Sequence, residues 1–178
     1  LTLRWPVAAP KMVLGATAGS RQLTQLPFDL KDGKLKVTMP GFDTAASLLA
    51  LNNSDPLVSL EITGAPRGIA GLLDVTPNTR LKVAVTVWNP SSRKLPAGKV
   101  NFFATPGWFC NTGEQKIATI EPYSHQAVTF EVQSPALCTK YTLKPLVFKY
   151  ESGKVTSTPC TEMLWWNNAA PKNAVSKN

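Results

Sequence analysis

Between Leu81 and Ala104 apolar and polar residues alternate with a period of two. Leu81, Val83, Val85 and Val87 interleave with Lys82, Ala84, Thr86 and Trp88; Asn89-Pro90-Ser91-Ser92 interrupts, and Val100, Phe102 and Ala104 resume the pattern. Successive side chains of a strand face opposite sides of its sheet, so the segment reads as two half-buried antiparallel strands joined by a polar turn. This pattern constrains the fold far more than the function, because nothing in it resembles a catalytic centre.

The remaining apolar residues come in short bursts divided by 15 prolines and 11 glycines. An amphipathic helix needs apolar positions three and four apart over about ten residues, and only the short run 44–52 is free enough of Pro and Gly to hold one. The predicted class is all-β. From Arg80 onward strand signals recur over 80–89, 98–105, 115–120, 126–133, 140–150 and 154–166, a spacing that predicts an Ig-like antiparallel β-sandwich over 79–166. Residues 1–64 form a smaller strand-rich unit, with a hairpin signal at Asp32-Gly33. Residues 65–78 are a Gly- and Pro-rich connection in which 69–75 can add an edge strand, and 167–178 read as a flexible tail. Pro145 and Pro159 fall inside the last two strands, where the missing N–H predicts a bulge at each.

Composition narrows the function by exclusion. The formal charge is +8, but the 19 Lys and Arg are scattered singly, with no basic block and no recognition helix, so nucleic acid is not an expected partner. No run approaches the ~20 apolar residues of a membrane helix. The start, Leu-Thr-Leu-Arg-Trp-Pro, reads as the inside of a longer polypeptide. Cys110, Cys138 and Cys160 lack metal-site spacing and His125 is remote from them, so neither a metal nor another cofactor is expected. There is no Gly-x-Ser-x-Gly elbow to go with His125. Glu162 has the inward parity of Cys160 and Leu164, which calls for a structural ion-pair partner rather than a catalytic role.

Val85–Asn89 (Val-Thr-Val-Trp-Asn), Leu95–Gly98 (Leu-Pro-Ala-Gly), Pro106–Trp108 (Pro-Gly-Trp), Ile120–Pro122 (Ile-Glu-Pro) and a last strand ending in Trp follow one another in order. In this order the segment 76–166 resembles the Ig-like accessory domains of secreted glycoside hydrolases, notably some alpha-galactosidases. The first unit is similar to the β-sandwich segments that end such hydrolase chains. The resemblance implies a non-catalytic, carbohydrate-binding accessory region of a secreted or periplasmic multi-domain enzyme. The partner would be a polysaccharide or a neighbouring domain of the same parent chain. In that topology the loops after Gly107 and Pro135 share one end of the sandwich, which implies a Cys110–Cys138 disulfide. Closing 27 intervening residues would contribute ~3 to 4 kcal/mol.

Glycan sites use exposed rings flanked by amides and carboxylates. Trp165 and Trp166 are adjacent on a strand and must face opposite sides. Trp166 shares the parity of Leu164 and is expected inside; Trp165, with Asn167 beside it, is the exposed candidate. Trp88 lies on the polar face of its strand and is the second candidate, and Tyr123 near His125 is the third. Trp5 and Trp108 read as packing residues. The competing function is a protein-interaction or adhesion module that docks through a sheet edge or an apolar face, without sugar affinity.

Overall fold

A computed structural model describes residues 2–4, 8–17, 22–38, 46–52, 55–68, 71–104, 106–136 and 143–166. Among them every regular element is a strand, and no helix is long and apolar enough to cross a membrane. The all-β class expected from the period-two pattern is the class found.

Ten of the strands build the sandwich. β7 (Leu57–Thr63), β9 (Arg80–Asn89), β11 (Phe109–Cys110) and β13 (Ser124–Gln133) form one sheet in the order β11-β13-β9-β7. The facing sheet runs β12-β10-β14-β16-β8, with β15 appended to β14. Its strands are β8 (Leu73–Val75), β10 (Gly98–Ala104), β12 (Glu114–Ile117), β14 (Leu143–Ser152), β15 (Val155–Thr156) and β16 (Cys160–Trp166). All contacts are antiparallel except β8 beside β16, which is parallel. Two sheets exchanging consecutive strands in this way define an Ig-like sandwich.

The inner faces show why the alternation forms. β9 contributes Leu81, Val83, Val85 and Val87, none more than 2% exposed, against Phe130, Phe148 and Trp166. Phe102, Phe130 and Phe148 meet with centroids 5.2 to 6.5 Å apart, and Trp108 meets Trp166 edge-on at 6.3 Å. Trp108 and Trp166 therefore pack as expected.

Three local expectations need correction. β9 and β10 are not a hairpin: they lie in opposite sheets. Periodicity identifies a strand but not its partner, and the crossing is fixed by Asn89, whose side-chain amide donates to the carbonyls of Arg93, Ile120 and Glu121 at 2.8 to 3.1 Å. Pro145 causes no bulge, since the β14–β16 register runs unbroken from Leu143↔Trp165 to Phe148↔Cys160. Among the described residues the β10 ladder starts at Leu146, next to Pro145. Pro159 lies just outside a strand, where it separates β15 from β16.

The first unit holds two small sheets. β1 (Thr2–Arg4), β4 (Phe28–Lys31) and β5 (Lys34–Val37) form one in the order β1-β5-β4. β2 (Met12–Thr17), β3 (Thr24–Gln25) and β6 (Ala46–Leu51) form the other in the order β3-β2-β6. Asp32 and Gly33, at φ 50° and 68°, make the tight β4–β5 turn that the Asp-Gly pair predicts. Val13, Leu26, Leu35 and Val37 fill a core of their own. β7, grouped by sequence with this unit, is instead hydrogen-bonded along β9 in the sandwich, whereas β8 is the edge strand expected in the connection. The tail 167–178 lies outside the described residues.

Candidate functional site

Two of the three aromatic candidates pack where the first unit meets the sandwich. Trp88 is 3% exposed, although it has the polar parity of its strand. The outer face of β9 is covered there by the first unit: Met12 and Leu14 of β2 pack on Trp88, with Leu23, Leu51, Leu57 and Tyr123 around them. The indole Nε1 donates to Ser59 Oγ at 2.9 Å, and the His125 ring packs 4.4 Å away, tilted by 39°. Tyr123, in a turn at φ 54°, belongs to the same cluster. Parity marks which side of a strand a ring occupies, but not what a separate unit lays on that side. The exposure expected of Trp88 is thus overturned.

Trp165 is exposed as expected, at 38%, and Asn167 beside it lies outside the described residues, as does Trp5. Trp165 stands on the opposite sheet from Trp88, so the two do not form one platform. Glu162 is buried and finds the partner its parity demanded, Arg67 at 3.0 Å. Cys110 carries a thiol that donates to the Thr112 carbonyl at 2.9 Å, and burial raises its pKa above the ordinary 9.0 despite backbone hydrogen bonds that lower it. Cys138 lies outside the described residues, and among those described there is no disulfide.

The outer face of the six-stranded sheet divides into two halves. On one, Phe103 of β10 faces Val147 of β14, Val147 faces Thr161 of β16, and Pro145 faces Met163, with Trp165 two residues further along. Phe103 is 51% exposed. From the strand rise and spacing, Phe103 and Trp165 lie about 16 Å apart across this strip. On the other half two of the three lysines, Lys99 and Lys149 but not Lys116, meet carboxylates. Lys99 pairs with Glu114 at 2.6 Å and Lys149 with Glu151 at 3.0 Å, while Asn101 donates to Glu151 at 2.7 Å. The Glu114 carboxylate, bonded to Lys99, holds that ammonium above its ordinary pKa. Beside Trp165, Asp74 of β8 has a buried Oδ1 that accepts no hydrogen bond from the described residues.

Phe103 went unread, although Phe102-Phe103 is open to the adjacency argument applied to Trp165-Trp166. Phe109, 64% exposed, sits on a two-residue strand that has no period to read. It borders a groove of about 410 Å³ on the outer face of the four-stranded sheet, together with Arg80, Lys82, Asn111, Glu131 and Gln133.

Among the described residues no three His, Cys, Asp or Glu side chains cluster as a metal site. The two facing sheets make the chain an Ig-like β-sandwich. No protein-family model matches the chain, and no curated protein matches it. Among solved structures it is similar to the CARDB domain of a Pyrococcus furiosus protein, at 15% identity and a TM-score of 0.37, covering 63% of this chain and 95% of that one. It is also similar to PapD-like domain 7 of human CEP192, at 9% identity and a TM-score of 0.32, covering 64% and 87%.

Proposed function

We propose that the chain is a non-catalytic interaction module that holds a neighbouring polypeptide domain of its parent protein on the apolar half of the six-stranded sheet. The observation that carries this reading is the strip Phe103, Val147, Pro145, Met163 and Trp165, with its two large rings 51% and 38% exposed. Removing two such rings from water gives the driving force for association. Lys99–Glu114 and Lys149–Glu151 leave the neighbouring half with little net charge to select an ionic partner. Two copies of a chain carrying +8 repel one another, which favours a different polypeptide over a second copy.

The non-catalytic part of the reading is supported by Glu162, which Arg67 neutralises, and by His125, which packs against Trp88. The sequence resemblance supports a parent that is a secreted or periplasmic carbohydrate-active enzyme. In an oxidising compartment Cys138 is the partner for the Cys110 thiol. One reactive thiol in the unfolded, unreduced protein would support that location, and three would remove this argument for it.

The docking reading is tested with a photo-crosslinking residue at Phe103, and as control at Lys154 in the exposed β14–β15 turn, in the full parent protein. A Phe103 crosslink to polypeptide outside the 178 residues, absent from the control, is the expected result. Equal crosslinking from both positions, or none from Phe103, would refute it.

A further inference from the structure

The groove on the four-stranded sheet faces away from the proposed docking strip and has a different chemistry. Its side chains stand in two lateral rows fixed by strand register. Phe109 pairs with Gln133 and Gln133 with Arg80; one step along, the Asn111 N–H donates to the Glu131 carbonyl at 3.0 Å, and Glu131 pairs with Lys82. Neighbouring strands lie about 4.8 Å apart and alternate residues about 7 Å apart along a strand, so the six side chains cover roughly the area of one or two pyranose rings. One corner is an exposed aromatic ring. The opposite edge is cationic.

We infer that this groove binds an acidic glycan, with Phe109 against the C–H face of a sugar ring and Arg80 and Lys82 on its carboxylate. Gln133 can donate and accept, and Glu131 accepts, which suits a ligand dense in hydroxyl groups. The Asn111 side-chain oxygen is already engaged by the N–H groups of Thr112 and Glu131, which holds the Phe109 segment against β13 and leaves its NH₂ to donate. Two cations against one carboxylate give the groove a net positive charge.

The test is native electrophoresis through polygalacturonate, through its fully methyl-esterified form and through dextran sulfate, at low and at moderate salt. Wild type should be retarded by polygalacturonate and clearly less by the ester. Phe109→Ala, at an exposed site that keeps the fold, should weaken retardation about tenfold, and Arg80→Gln with Lys82→Gln by at least as much. Lys31→Gln with Lys34→Gln removes the same charge from the β4–β5 hairpin and should change little. The inference fails if wild type is not retarded by polygalacturonate. It fails equally if Phe109→Ala binds as wild type does, if the hairpin variant loses as much as the groove variant, or if dextran sulfate retards all variants alike and polygalacturonate does no more.

Discussion

Glu162 and Arg67 illustrate what a single buried charge demands. The Glu162 side chain is 4% exposed, and taking a carboxylate out of water is tolerated only with a charged or hydrogen-bonding partner. Arg67→Met leaves that charge buried and should cost about 2 to 4 kcal/mol, read as a lower urea midpoint, with Glu162→Gln in the same chain restoring part of it. Tyr150 is fully buried, its hydroxyl donates to the Pro96 carbonyl, and burial raises its pKa above the ordinary 10.0. The folded state then keeps a proton that the unfolded chain gives up, so stability falls as pH rises past 10. Tyr150→Phe should lose about 1 kcal/mol at neutral pH, and its loss of stability above pH 10 should be shallower than wild type's, with Cys110 still contributing from about pH 9. Thermal melts at several pH values check both statements. The inward place and pairing of Glu162 were legible because parity and the cost of burial are properties of the residue itself.

At the scale of the element, what the sequence shows and hides divides along hydrogen-bond partnership. The strands of the sandwich were readable from alternation, and the β4–β5 hairpin from Asp32-Gly33, because both are local. That β9 and β10 sit in opposite sheets, and that β7 belongs with β9, depends on contacts distant in sequence that leave no mark in the period of either strand. Trp88 failed for the same reason: its cover comes from Met12 and Leu14, more than 70 positions away. Because the ring fills the contact between the units, Trp88→Ala should cost about 3 to 5 kcal/mol. The first unit should also lose protection before the sandwich, so amide exchange in β2 and β6 should quicken more than in β13 or β14. At Gly64, with φ 104°, a Cβ would meet the Arg80 carbonyl, so Gly64→Ala should destabilise by about 2 kcal/mol or more in the same urea assay.

For the whole molecule, the first unit covers one end of the four-stranded sheet and leaves the groove at the other, while the six-stranded sheet keeps its outer apolar strip. Of the candidate site, sequence located Trp165 and missed its companion Phe103. Both exposures follow from strand parity, but joining the two rings into one strip required the β10–β14–β16 register. The central claim is that this strip is covered by another part of the parent protein. Hydroxyl-radical footprinting measures it directly, by comparing oxidation of Trp165 and Phe103 in the isolated chain and in the intact parent, with Phe109 as internal reference. Several-fold protection of Trp165 and Phe103 in the parent, with Phe109 unchanged, is the predicted result. Equal oxidation of Trp165 and Phe103 in both would contradict it.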